Sequence, residues 1–222
     1  MLNKNIIGVD YSITSPAVCF RDNGKLVFFG YTSLKTQTQY YFENNQAVVM
    51  LKPTIAEYDS KYERYNYTAY QFFKMFTQYS QKIHGKPGVQ FHKFGTFVIE
   101  EFNPNPKLAK NIIDLVEATS FFKHAVFSEY YDNLLSANIT KIKKYFTGRG
   151  DAKKPDMQKA FVEKTKIDLA KLIGRDWDKH PTEDMIDAYA IMCYGENTPF
   201  DEIRFNSVHH KKPKPKKRGK SK

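Results

Sequence analysis

The order of its strand-forming runs is the feature that most limits what this chain can fold into. Residues 5–10, 16–21 and 25–33 are three short apolar stretches in close succession, and Asn23-Gly24 separates the last two. That dipeptide favours the left-handed turn of a two-residue hairpin. Further strand-like runs at 96–102 and 133–139 are each set apart by helical stretches. The sequence therefore predicts an α/β fold, with a mixed five-stranded sheet flanked by helices. A helix rich in Tyr and Phe is expected at 58–82, closed by Gly85, Pro87 and Gly88. Others are expected at about 107–125 and 140–146, the latter interrupted by Gly148-Arg149-Gly150. A helix at 155–173 would place Pro155 at its favoured first position. The last would open at His180-Pro181-Thr182-Glu183, with Thr182 as N-cap. Residues 34–57 are mixed in character, although 46–51 suit a short extra strand.

At 222 residues the chain can bury one sizeable core. One domain over 1–200 is expected, followed by a basic, disordered tail at 201–222. The net charge of +11 is concentrated there, because His209 to Lys222 holds seven Lys, one Arg and no acid. Of 35 basic residues these 8 lie in the tail, leaving 27 against 24 acids elsewhere. Such a tail suits phosphate contact without sequence preference. No apolar stretch approaches the ~20 residues of a membrane span, and the N-terminus lacks a charged-then-apolar secretion signal. Cys19 and Cys193 both sit in apolar segments, as free thiols do in a reducing, cytoplasmic setting.

Four acids stand at the edges of apolar segments. Asp10 closes Ile6-Ile7-Gly8-Val9, and Glu100 closes Phe97-Val98-Ile99. Asp184 and Asp187 lie at i and i+3 ahead of Ala188-Tyr189-Ala190, a spacing that puts both on one helix face. Two strand-end carboxylates and a helical pair can meet at one point and hold hard divalent cations through oxygen. Glu101 competes with Glu100, but strand alternation sends the two to opposite faces. Asp114 and Glu117 form another i, i+3 pair with no strand-end acid to join them, which reads as a solvated helix face. His84, His92, His124 and His180 stand apart from any Cys or His at zinc spacing. No P-loop signature occurs, so no nucleotide cofactor is expected.

Together these segments resemble the RuvC-type Holliday junction resolvases, on the ribonuclease-H-like fold, over most of residues 5–195. Ile7-Gly8-Val9-Asp10-Tyr11-Ser12 is similar to the family's opening segment, and Ile99-Glu100 to its second acidic motif. The stretch from Ile142 to Lys154 resembles its Ile-Lys segment, Gly-x-Gly loop and following lysine. Asp184-Met185-Ile186-Asp187-Ala188-Tyr189-Ala190 is similar to its closing helix. The chain departs from the pattern in three respects. Tyr11-Ser12 replaces a frequent Pro-Gly, the stretch between the third and fourth strands is longer and more aromatic, and the basic tail is extra. Such departures suit a phage or otherwise divergent branch.

The resemblance implies a structure-selective endonuclease that resolves four-way DNA junctions by paired nicks. Two Mg²⁺ ions (Mn²⁺ substituting) about 4 Å apart would activate water and stabilise the leaving 3′ oxygen. Asp10 would bridge the ions, Glu100 and Asp187 would complete the shells, and Asp184 would orient the second ion or its waters. Lys154 would be the catalytic cation after the double-glycine loop, which is expected to be flexible. Lys141, Lys143, Lys144, Arg149 and Lys153 would extend a basic track along the DNA backbone. Phe102 lies near the family's junction-wedge aromatic, one residue out of register. A homodimer is implied, paired through the helix after Pro106 with Leu115, Phe121, Phe122 and Phe127. Rival readings are a flap, fork or RNA–DNA hybrid nuclease and a catalytically inactive DNA-binding scaffold. A DEDD-type exonuclease would need an acid where Ser12 stands.

Overall fold

The computed structural model describes residues 5–32, 39–53, 58–85, 95–101, 109–130, 134–177 and 179–207. Seven strands, where five were expected, form one mixed sheet: β1 (Asn5–Asp10), β2 (Ala17–Asp22), β3 (Lys25–Thr32), β4 (Tyr40–Glu43), β5 (Ala47–Pro53), β6 (Gly95–Glu101) and β7 (Leu134–Asn138). Their spatial order is β4-β5-β3-β2-β1-β6-β7. The two additional strands form a hairpin at one edge. Asn44 turns it by accepting hydrogen bonds from the backbone N–H of Gln46 and Ala47, and β5 then pairs parallel with β3. The run at 46–51 is thus a full strand, while Tyr40–Glu43 is too short to show a period. The Asn23-Gly24 hairpin is present, both residues having positive φ (48° and 77°).

Strand alternation divides the side chains between two layers. One carries Ile7, Val9, Val18, Phe20, Phe97 and Ile99 against α1 (Lys61–His84) and α2 (Ala109–Tyr130). Most aromatics expected at 58–82 are buried there, with Phe72, Phe76, Phe97 and Phe122 meeting edge to face. The other layer carries Ile6, Cys19, Phe28, Val98 and Leu135. It is covered by α3 (Ile139–Thr147), α4 (Lys154–Thr165), α5 (Leu169–Ile173), α6 (Thr182–Asn197) and α7 (Phe200–Ser207). Among the described residues no helix is long and apolar enough to cross a membrane.

Several expected boundaries move. The helix over 155–173 is two helices, because Lys166 takes a left-handed conformation (φ 60°) and caps α4. Thr182 is the first residue of α6 rather than its cap; Pro181 holds the cap position, and the Thr182 hydroxyl is buried without a hydrogen-bond partner. The edge expected at residue 200 falls where α7 begins, and α7 buries Ile203 completely. The basic run from 208 lies outside the described residues.

The contact that positions everything downstream is α6 on β1. A Cβ on Gly8 would lie 2.1 Å from the Ala188 carbonyl oxygen and 2.4 Å from the Met192 nitrogen. One on Gly195 would lie 2.8 Å from Ile6 and from Val98. The helix therefore rests backbone to backbone on the central strand, antiparallel to it, with its N-terminus at the Asp10 end. Gly8→Ala should cost about 3 kcal/mol, since the clashing atoms are backbone and cannot rotate away. A melting temperature lowered by roughly 6–12 °C is expected for a chain of this size, and an unchanged melt would contradict the packing.

Candidate active site

Five strands (β1, β3, β5, β6 and β7) point the same way, and their C-terminal ends share one edge of the sheet. Asp10 and Glu100 sit there on adjacent strands. The register Val9↔Ile99 makes them successive neighbours, about 4.8 Å apart across the ladder. Both belong to the α6 layer, in phase with Ile6 and Val98. Glu101 points to the other layer, where its charge bears on Lys123 of α2 and its Oε2 is buried without a partner. Alternation thus puts Glu100 on the face shared with Asp10 and α6, and Glu101 on the opposite one.

From above, α6 brings Asp184 and Asp187, and all four expected acids sense one another. Burial, then Asp187, Asp184 and Glu100, pushes the Asp10 carboxyl well above the usual range, against a smaller opposing pull from Lys154. Burial and then Asp187 raise Glu100 to about 7. Asp187 rises to about 6, mainly through burial, with Lys143 and Lys154 opposing. Burial also raises Asp184, against hydrogen bonds from His180 and Ser15. A buried group of four acids of this kind is costly to charge unless cations are near, and the N-terminus of α6 supplies only a partial positive charge.

Two of the expected cations face this centre. Lys154, the first residue of α4, bonds Glu183, which lies beside Asp184 and is buried. Lys143, assigned to the DNA track, is half-buried and directs its charge at Glu100 and Asp187. It is placed by Asn138, which ends β7 and caps α3 through Thr140 and Lys141. Lys141, Lys144 and Lys153 are exposed. Arg149 is exposed and forked onto Asp151. The loop between them is tied rather than free: Gly148 caps α3, and Gly150 packs so closely on Thr140 that a Cβ would lie 2.6 Å from its methyl carbon. Asp114 and Glu117 bridge helices through Lys61, at 3.0 and 2.6 Å. Phe102 lies outside the described residues.

Three residues join the site that sequence reasoning had not assigned to it. Glu183 forms an i, i+4 pair with Asp187, a spacing visible in the sequence. His180 donates from Nδ1 to Asp184 Oδ2 at 2.6 Å, and Ser15 Oγ lies 2.8 Å from the same nitrogen. His180 and Asp184 are four positions apart, whereas the Ser15 partnership is not visible before folding, because Ser15 and His180 are 165 positions apart.

The donor set suits a hard divalent cation: carboxylate oxygens only, buried, and short of positive charge. Among the described residues no three His, Cys, Asp or Glu side chains already converge closely enough to share one ion. Two of the carboxylates hold local partners, Asp184 with His180 and Glu183 with Lys154.

Fold and site define an α/β protein with four buried or half-buried carboxylates gathered at the C-terminal edge of its sheet. No family model matches the chain, and no curated protein matches it. Among solved structures it is similar to RuvC of Thermus thermophilus, at 15% identity and a TM-score of 0.43, over 84% of this chain and 90% of the other. It is also similar to T. thermophilus RuvC in complex with a Holliday junction substrate, at 14% identity and a TM-score of 0.46, over 92% of this chain and 98% of that one.

The acid cluster has a stability signature. Glu100 at about 7 and Asp187 at about 6 exceed their unfolded values of about 4.3 and about 3.9. Between about pH 4 and 7 the native state therefore holds more protons than the unfolded chain, so stability falls as pH rises. Thermal melts in chelator should show a declining Tm from pH 5 to 8, with a shallower decline in Asp187→Asn. A Tm that climbs over that range would refute the coupling.

Proposed function

We propose that this protein is a divalent-metal-dependent, structure-selective DNA endonuclease of the RuvC type, resolving four-way junctions by paired nicks. The observation that carries this reading is that Asp10 and Glu100, ending adjacent parallel strands, share one edge of the sheet with Asp184 and Asp187 from one turn of α6, near enough for their charges to bear on Asp10. Four motifs in family order at 5–12, 99–100, 142–154 and 184–190 add to it.

Asp10, Glu100, Asp184 and Asp187 would hold the Mg²⁺ ions, with Asp10 placed to touch most of the set. When bound, such ions supply an activated water, a stabilised leaving oxygen and a template for in-line attack. The chain's own contribution is orientation and charge. Lys154 is tethered at the rim by Glu183, where it can meet a phosphate oxygen and stabilise the charge that develops on it. Lys143 offsets part of the carboxylate charge in the empty protein and sits where the scissile strand would pass. Exposed Lys141, Lys144, Lys153 and Arg149 follow the backbone on either side, and the run from 208 adds contacts indifferent to sequence.

Two coordinated cuts suit a two-fold dimer. Of the residues expected at the interface, Phe122 is in the core and Phe121 packs against Tyr62 and Tyr65. Helical periodicity turns these two inward. The outward stripe is Ile113, Val116 and Phe127 on α2, with Tyr62 and Tyr70 on α1, and we place the interface there.

A cleavage panel with Mg²⁺ tests the activity on a four-way junction, a flap, a fork, a plain duplex and an RNA–DNA hybrid. Symmetric nicks confined to the junction are expected; preference for the flap, fork or hybrid would select the corresponding rival. Asp10→Asn, Glu100→Gln and Asp187→Asn should each lower cleavage by at least about 10³-fold, on the order of 4 kcal/mol in the barrier, while junction binding holds. Activity in Glu100→Gln with loss in Glu101→Gln would reverse the assignment of the second acid. On sedimentation the unmodified protein should be a dimer and Phe127→Asp a monomer; a monomeric parent, both free and on a junction, would exclude the paired-cut mechanism.

A further inference from the structure

The residues that replace the family's usual turn after the first acid are not idle. Ser12 accepts a hydrogen bond from the Ser15 backbone N–H at 3.0 Å and closes the turn between β1 and β2. Arg64 of α1 holds the same turn from the other layer by donating to the Ile13 carbonyl. Held in this way, the Ser15 hydroxyl, itself buried, lies 2.8 Å from His180 Nδ1 and also bonds the Asp184 carboxylate, whose Oδ2 is 2.6 Å from the same nitrogen. The contact links the strand that carries Asp10 to the helix that carries Asp184 and Asp187. No backbone hydrogen bond among the described residues does so.

We propose that His180, seated by Ser15, is a positioning residue that sets the orientation of the Asp184 carboxylate for ion binding. The inference rests on the nuclease reading above. Its physical content is rotational. An Asp side chain turns about two bonds, and among like charges it is driven away from its neighbours. An N–H donor fixed on Oδ2 removes that freedom before any cation arrives. Ligating carboxylates held by an outer hydrogen bond bind more tightly, and loss of such a bond typically costs 10–100-fold in metal affinity or activity. The bond is local to Nδ1. The imidazole side chain is about half exposed (52%), so burial contributes little to its placement, whereas the Asp184 carboxylate it orients is buried (6%).

Discrimination between a positioning role and a purely structural one comes from the two amide variants. In His180→Asn the side-chain N–H₂ falls near the place of Nδ1, whereas in His180→Gln it falls nearer that of Nε2. Calorimetric titration of Mn²⁺ into the full chain, without DNA, should show affinity lowered about 10–100-fold in His180→Ala, His180→Gln and Ser15→Ala. His180→Asn should return to within about threefold of the parent. Junction cleavage at fixed Mn²⁺ should follow the same order in kcat with KM for DNA little changed, and metal-free melts of His180→Asn and His180→Gln should coincide. Equal Mn²⁺ affinity in the parent, His180→Gln and His180→Asn would overturn the proposal, as would equal losses in both amide variants. Failure of the parent itself to bind Mn²⁺ or cut any branched DNA would instead remove the nuclease reading on which it rests.

Discussion

The close approach of α6 to β1 is the constraint on which the rest of this structure depends. Only hydrogen at Gly8 lets the Ala188 carbonyl and the Met192 nitrogen come so near the central strand. Gly195 allows the same one layer further along, over Ile6 and Val98. With those contacts made, the first turns of the helix overhang the C-terminal edge of the sheet, where Asp10 and Glu100 end their strands. A helix held at the usual side-chain distance, about 10 Å from a sheet, would leave Asp184 and Asp187 further from both. Packing and chemistry are in this sense one fact: the glycine that makes the core close is two residues from the acid that it brings into range.

That proximity has an electrostatic cost which the surroundings only partly offset. Burial and mutual repulsion raise all four acids. The opposing groups come from different elements: Lys143 from α3, Lys154 from α4, and His180 from the segment leading into α6. Each is held by its own local device, such as the Asn138 cap of α3 or the Glu183 tether of Lys154. A centre built this way is short of positive charge.

The β4–β5 hairpin widens the sheet on the side away from Glu100. Its contribution to the core is substantial, because Ala47, Val48, Val49, Met50 and Leu51 are all buried and bracket β3 on its outer side. This explains how β3 can be almost wholly apolar, from Leu26 to Tyr31: it is an interior strand with helices on both faces, as near-continuous hydrophobic runs are.

Local pattern alone determined much of this protein. The strands at 5–10, 25–33 and 96–102, the Asn23-Gly24 turn, the aromatic helix α1 and the four acids at element ends were legible, because each depends on neighbours within a few positions. The opposite facing of Glu100 and Glu101 was legible too, since alternation has a period of two. What tertiary structure alone decided is of another kind. The four-residue strand β4 shows itself only once β5 is there to pair with it. Thr182 looks like a cap until Pro181 takes the position, and Lys166 ends a helix that its neighbours would continue. Phe122 and Phe127, alike in sequence, part into core and surface by the rotation of one helix against a sheet. Ser15 reaches His180 across 165 positions, and the charge of Lys143 bears on Glu100 and Asp187. Contacts of that range depend on where whole elements dock, and docking is set by the summed packing of both layers rather than by any pattern within one segment.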